Sequence, residues 1–187
     1  MLDAIKKALR TDPFLDKPLP IGLAANSAVL VPLFERRGDT GVLLIHRSSD
    51  GGPHSGQMGF PGGMTNPGDG GDLLRTALRE SEEELGFDPG EVRIIGELSL
   101  RPTVVSGLVV KPYVGIIPWP CTLVPDPKEV QGTHITTIGH LQREVMPGHN
   151  PFNLPPPVYP VDDQPVWGLT ARIIAEFLER LNSAIQD

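Results

Sequence analysis

Apolar and polar positions divide the chain into short segments whose period switches between two and about 3.6. Residues 1–10, with Lys6, Lys7 and Arg10 set among apolar positions, read as a short amphipathic helix. Residues 11–25 carry Pro13, Pro18, Pro20 and Gly22 and read as an irregular lead-in. The apolar run Ser27–Phe34 predicts a buried strand in which Pro32 marks a sheet edge or an interruption. A turn over 36–40 and a second apolar run, Val42–His46, complete a hairpin. Residues 48–72 are rich in Gly, Pro, Asp and Ser and predict a loop. Leu74, Ala77, Leu78 and Leu85 then recur at helical spacing, between Asp72 as N-cap and Gly86 as C-terminal stop. Strands are predicted over 92–100 and 109–117, a weaker one over 134–138, and a short helix over 139–145. Residues 146–165, with Pro155-Pro156-Pro157, predict a long loop serving as a lid or a subunit contact. The last helix, 169–185, has Ile173, Ile174, Phe177, Leu178 and Leu181 as its core stripe. Strands and helices mix without strict alternation, which predicts an α/β protein with a mixed sheet between helices, in one domain over 1–187.

Composition narrows the function classes. The net charge is −7 and no basic cluster occurs, which argues against wrapping duplex nucleic acid. A bound metal ion would still let such a chain act on a polyanion. A single cysteine, Cys121, excludes an intrachain disulfide framework and a cysteine-rich zinc site, and it has no neighbouring base to make it a nucleophile. No apolar run approaches the roughly 20 residues of a membrane helix, and no apolar stretch follows the first ten residues as a signal peptide requires, so a cytoplasmic location is expected. Trp119, Trp167, Phe152 and Tyr159 are expected to pack in the core or in loops, since aromatics are sparse.

The chemistry concentrates in Arg79-Glu80-Ser81-Glu82-Glu83-Glu84-Leu85-Gly86-Phe87. On a helix, Glu80, Glu83 and Glu84 share a face. Like charges at that spacing cost about 0.2–0.5 kcal/mol per pair, and the C-terminal end of a helix is unfavourable for anions. A hard divalent cation bound by carboxylate oxygens accounts for both costs.

Upstream lies Phe60-Pro61-Gly62-Gly63, and with the acidic helix it resembles the Nudix box, G-x5-E-x7-R-E-U-x-E-E-x-G-U, over residues 60–87. Arg79, Glu80, Glu83, Glu84, Gly86 and Phe87 fall at their expected places, and Ser81 replaces the first bulky apolar position. Counted from Gly63, the first acidic position is Asp69, and nine residues instead of seven separate it from Arg79, a two-residue expansion within Gly68–Asp72. The resemblance implies a Nudix-like α/β/α sandwich and a pyrophosphohydrolase acting on a small-molecule nucleoside diphosphate derivative. It further implies that Glu80, Glu83, Glu84 and the Gly63 carbonyl hold Mg²⁺ or Mn²⁺. Glu83 and Glu84 are then catalytic together with Arg79, which orients a glutamate. Asp69 is either a partner of Arg79 or a loop residue. Glu129 and Glu97 are the candidates for the general base, each with a solvated surface role as the alternative.

A second stretch, Leu43-Leu-Ile-His-Arg-Ser48 followed by His54, Gly56-Gln57 and Phe60-Pro-Gly-Gly63, resembles the extra motif of coenzyme A pyrophosphatases. Val110–Pro118 and Val166–Ala171 are also similar to bacterial members of that group. Arg47, His54 and Gly62 become candidate substrate contacts. The motif usually places an Arg where this chain has Gly52, and losing a fixed guanidinium weakens the case for a phosphate-rich substrate. The expected substrate is coenzyme A or its thioesters. ADP-ribose, NADH or diadenosine polyphosphates are the alternatives, and a catalytically weak nucleotide sensor is an alternative of another class. A homodimer is left open.

Overall fold

A computed structural model describes residues 1–10, 24–36, 38–49, 54–103, 107–146 and 154–186. Residues 11–23 of the expected lead-in over 11–25, Gly52 and Phe152 lie outside the described residues. In chain order the elements are α1 (Leu2–Arg10), β1 (Ser27–Arg36), β2 (Asp39–Arg47), β3 (Met58–Gly59), β4 (Gly62–Met64), α2 (Leu73–Leu85), β5 (Arg93–Glu97), β6 (Arg101–Pro102), β7 (Val109–Ile116), β8 (Val130–Thr137), α3 (Ile138–Arg143), β9 (Tyr159–Val161), β10 (Gln164–Val166) and α4 (Gly168–Gln186). Short 3-10 turns fill Pro67–Asp69 and Pro89–Glu91.

Eight strands form one mixed sheet whose main path is β3-β2-β1-β7-β5, with β4 on β1, β6 on β7 and β8 on β2. The β1–β7 pair is parallel, from Ser27↔Val110 to Leu33↔Ile116, and the others are antiparallel. Residues Ser27 to Phe34 of β1 are all buried because the sheet is covered on both faces. The period of two sorts β1 accordingly. Val29, Val31 and Leu33, with Val42 and Leu44 of β2, pack against α4, α1 and α3; Leu30 and Phe34, with Leu43 and Ile45, pack against Leu85 and Phe87 at the end of α2. The result is the expected three-layer sandwich. Among the described residues no helix is long and apolar enough to cross a membrane.

Several sequence expectations need correction. Of the two readings of Pro32 the interruption holds and the edge does not: β1 is internal, and Pro32 faces the gap where its neighbour changes from β4, paired up to Val29, to β2, paired from Leu33. Leu30 N–H donates to Pro61 O on that side, so alternation leaves the missing N–H of Pro32 where no ladder partner stands. The expected loop over 48–72 contains β3, β4 and a 3-10 turn. The expected loop over 146–165 contains the β9–β10 hairpin, and Met146 bridges Val158. The weaker strand over 134–138 is a full strand from Val130, paired along β2.

The stripe on α4 is buried as predicted, together with Glu176 and Arg180. Glu176, 2% exposed, accepts from Ser99 N (2.9 Å), Arg101 Nε (3.1 Å) and Arg180 Nη2 (2.6 Å), which fastens α4 to the chain between β5 and β6. Burial alone pushes its carboxyl up, but the Ser99 N–H and the Arg101 guanidinium outweigh it and hold the group below the usual carboxylate range. A depressed folded-state pKa stabilises above the unfolded value and is lost as pH falls through the folded one. Glu176→Gln is therefore expected to lower stability at pH 7 by about 3–5 kcal/mol, since it leaves two guanidiniums against a neutral group. In urea titrations the gap to wild type should narrow only below the unfolded value near 4.5; a gap independent of pH would show that Glu176 acts through packing alone.

Candidate active site at the end of the acidic helix

Helix α2 is delimited by its own sequence. Asp72 Oδ1 accepts from Leu74 N (2.9 Å) and Arg75 N (3.3 Å), and Gly86, at φ 73°, closes the last turn by donating its N–H to Glu82 O (2.7 Å). The last turn places three glutamates in three environments. Glu84 is 1% exposed, whereas the side chains of Glu80 and Glu83 are 17% and 54% exposed. The expectation of one shared face holds for the direction of the helix surface but not for burial.

Glu84 is gripped from the sheet. Gly62 N–H donates to its Oε2 (2.8 Å) and Arg47 Nη1 to its Oε1 (3.0 Å), while Arg47 Nη2 donates to Gly62 O (2.8 Å). Gly62 adopts φ 145°, and a Cβ there would fall 2.3 Å from Ala28 O, so only glycine brings this N–H to the carboxylate. A Cβ on Gly63 would instead lie 2.3 Å from Glu80 Oε2. Gly63 O accepts from the buried Ser27 hydroxyl (2.6 Å), a partner that the sequence did not single out.

Arg79 organises the other carboxylates. Its Nε and Nη2 donate to Asp69 Oδ1 (2.9 Å) and Oδ2 (3.1 Å), Nη1 reaches Glu83 Oε2 (2.9 Å) and Glu80 Oε1 (2.8 Å), and Nη2 also donates to Met64 O (3.1 Å). Asp69 is thus a partner of Arg79. It is fixed further by Thr76 Oγ1 (2.9 Å) and Asn66 N (2.9 Å). The expanded loop is taken up by Gly70 and Gly71, both at positive φ, with open space around them.

Electrostatics separates the acids. The Arg79 guanidinium, then the Asn66 N–H, hold Asp69 far below the usual carboxylate range, and Asp69 in turn holds Arg79 above its own. Burial pushes Glu80 up, with Glu83 and Glu129 adding repulsion against the pull of Arg79. Burial likewise pushes Glu84 up to about 7, with Glu80 and Glu129 adding to it and with Arg47 and Gly62 N–H opposing. Glu129 therefore stands within electrostatic reach of both. It is exposed on the turn before β8, and its carbonyl accepts from Ser48 N (2.8 Å), which anchors it beside Arg47. Glu97 pairs with Lys111 (2.7 Å) across β5 and β7. His54, at φ 76° with Nδ1 3.3 Å from Gln57 Oε1, lines a cavity of about 280 Å³ together with Arg47, Gly62, Gly63, Phe60 and Val29. Trp119 stacks on Phe34 in the core, and Cys121 is half-buried beside it, with burial pushing its thiol up.

Five carboxylates, Asp69, Glu80, Glu83, Glu84 and Glu129, face two guanidiniums, Arg47 and Arg79, which leaves three negative charges without compensation. Among the described residues no three His, Cys, Asp or Glu side chains converge on one point, because Glu80 and Glu83 turn to Arg79 and Glu84 to Arg47. The donor set, all hard oxygens with surplus negative charge, nevertheless fits divalent cations.

The NUDIX domain family model matches residues 25–150. The Nudix hydrolase NudL of Yersinia enterocolitica is 35% identical over 178 residues, covering 90% of this chain and 89% of that protein. The mitochondrial coenzyme A diphosphatase NUDT8 of Homo sapiens is 36% identical over 165 residues, covering 84% and 69%. Among solved structures, the NUDIX domain of Shewanella oneidensis NrtR complexed with ADP ribose superposes with a TM-score of 0.58 at 18% identity, over 90% of this chain and 96% of that one. A C. elegans Ap4A hydrolase binary complex does so at 0.52 and 20% identity, over 62% and 82%. At these identities the structures speak to the fold.

A carboxyl with a raised folded-state pKa keeps a proton that the unfolded chain loses, so stability falls as pH rises from about 4.5 towards 7. With metal removed by chelator, the wild type is expected to lose about 1–3 kcal/mol more stability than Glu84→Gln between pH 5 and 8. Urea titrations at intervals across that range check this; parallel curves for the two proteins would mean that Glu84 titrates normally.

Proposed function

The chain belongs to the Nudix hydrolases, pyrophosphohydrolases that act on nucleoside diphosphate derivatives, and we propose that its substrate is coenzyme A or a coenzyme A thioester, cleaved to 3′,5′-ADP and 4′-phosphopantetheine or its acyl form. One observation carries the choice of substrate. The residues of the second motif, Arg47, His54, Gln57 and Phe60, wall a cavity that reaches Gly62 and Gly63, the two residues whose backbone meets Glu84 and Glu80. The similarity to a coenzyme A diphosphatase over 84% of the chain supports the same reading. Residues 1–187 work as one domain in it, with 60–87 as the catalytic segment.

Nudix hydrolases generally use divalent metal ions, and we assign Mg²⁺ or Mn²⁺ to Glu80, Glu83, Glu84 and the Gly63 carbonyl. Cations held there would supply the positive charge that offsets the pyrophosphate and would acidify a water molecule. Phosphoryl transfer is otherwise a matter of positioning. Glu129 takes the proton of the attacking water as a new P–O bond forms. The bridging P–O bond breaks, and its electron pair leaves with the other phosphate. Arg79 orients Glu80 and Glu83, and Asp69 orients Arg79. Arg47 holds Glu84 and, from the cavity wall, contacts the substrate with His54 and Gly62.

Mass spectrometry of products after incubation with coenzyme A and Mg²⁺, then Mn²⁺, tests this directly. Appearance of 3′,5′-ADP with 4′-phosphopantetheine is expected; intact coenzyme A with both metals would move the substrate to ADP-ribose, NADH or a diadenosine polyphosphate. Gly63→Ala is expected to keep the fold, since the new Cβ meets the movable end of Glu80, but to lower turnover by about 100-fold or more through displacement of that carboxylate. Unchanged turnover would remove Glu80 from the site.

A further inference from the structure

We propose that the same cavity continues into a recognition chamber for a second phosphate, remote from the scissile bond, with Arg172 as the anion contact and Trp167 as a platform for the adjoining base. If the substrate is the one proposed above, on which this assignment rests, that phosphate is the ribose 3′-phosphate of coenzyme A. A second cavity of about 380 Å³ is lined by Pro155, Pro156, Trp167, Gly168 and Arg172 and shares His54, Gln57, Thr103 and Leu169 with the inner one. The two therefore form a path from Gly63 to the first turn of α4.

The chemistry changes along this path. At its inner end it is walled by Arg47, Gly62 and Gly63. The outer chamber offers proline and tryptophan faces, which suit a planar base. Its cation is Arg172, half-buried, with Nη2 donating to Pro102 O at 3.3 Å. Among the described residues no carboxylate pairs with it. The acid one turn along α4, Glu176, is committed to Arg101 and Arg180. Glu176 is thus taken up by Arg101 and Arg180, while Arg172, one turn before it on α4, carries its charge with no acid beside it among the described residues, which suits a substrate anion. A ribose phosphate lies beside the base it flanks, so a base against Trp167 brings its phosphate to Arg172.

Coenzyme A and 3′-dephospho-coenzyme A differ only in that phosphate. Loss of a charge-assisted contact is worth about 10- to 100-fold. Because the contact is remote from the reacting phosphorus, it is made equally in ground and transition states, and its loss should appear in KM with kcat kept. Arg172→Ala is expected to raise KM for coenzyme A by that factor and to leave dephospho-coenzyme A within about twofold, which also shows that the variant is folded. Arg172→Lys should recover part of the loss, because a point charge replaces a planar fork. Calorimetry with 3′,5′-ADP and 5′-AMP supplies a second reading that needs no turnover: wild type should bind 3′,5′-ADP more tightly, and Arg172→Ala should bind both alike. Equal losses on the two substrates, or no loss on coenzyme A, would overturn the assignment. If wild type cleaves neither substrate, the coenzyme A reading fails and the binding pair decides; equal affinity of wild type for 3′,5′-ADP and 5′-AMP would then overturn the chamber as well.

Discussion

A carboxylate shut away from water must be met by fixed donors, and Glu84 imposes that demand on everything around it. At 1% exposure it takes Gly62 N–H and the Arg47 guanidinium. Those partners sit on β4 and at the end of β2, and Glu84 itself on the last turn of α2, so one side chain ties three elements together. Leaving a buried charge with one partner missing costs about 3–5 kcal/mol, which makes the arrangement all-or-none. The backbone at Gly62 follows from it: the N–H can face the carboxylate only at a φ of 145° and hard against Ala28 O. The short strand β4 fixes this on β1 through Val29↔Gly62 and Ala28↔Gly63.

A second clasp does the opposite work. Asp69 lies under Arg79 with its acidity enhanced, while Glu80 and Glu84 have theirs reduced by burial and by one another. Acids within one loop-and-helix unit therefore divide into a permanent anion that holds an arginine and a pair whose charge is poorly offset. Of the two kinds, only the second would gain by exchanging a protein partner for a cation. The cost of placing negative charge at a helix C-terminus falls on the same residues.

The layered fold was legible in the sequence where one element buries its own pattern. Ser27–Phe34 is apolar throughout because both faces of β1 are covered, and the stripe on α4 follows a 3.6 period against a single core. What stayed illegible is made by partners far along the chain. β3, of two residues, exists only because Met58 and Gly59 pair with His46 and Ile45, and β4 only because Gly62–Met64 lies along Ser27–Val29. Neither has a period to read. Pro155–Pro157 pointed to a loop, yet the prolines at 160 and 165 sit directly opposite one another in the β9–β10 hairpin, a two-stranded edge where a missing N–H is tolerated. Thr133 to Thr137 carries few apolar residues, and its strand character comes from β2, whose other neighbours leave that edge to β8.

In the site, residue types were readable and distances were not. Spacing put Glu80, Glu83 and Glu84 on one side of α2 but said nothing of their different depths, since the depth of Glu84 depends on Gly62 and Arg47, 22 and 37 residues upstream. Ser27 gave no signal at all: it looks like the polar start of a strand, and only the register of β1 against β4 brings its hydroxyl to Gly63 O. The expanded loop shows the limit most plainly. Counting residues displaces Asp69 from its place, yet the Asn66–Asp69 capping box folds Pro67–Asp69 into a compact turn, and Gly70 and Gly71 then turn the chain at positive φ into the Asp72 cap. Two extra residues leave the Arg79–Asp69 clasp closed at 2.9 Å because an exposed turn can lengthen at little cost in closure entropy. The quantity that matters to a charged hydrogen bond is where the chain returns, and a spacing pattern records only how far it travelled.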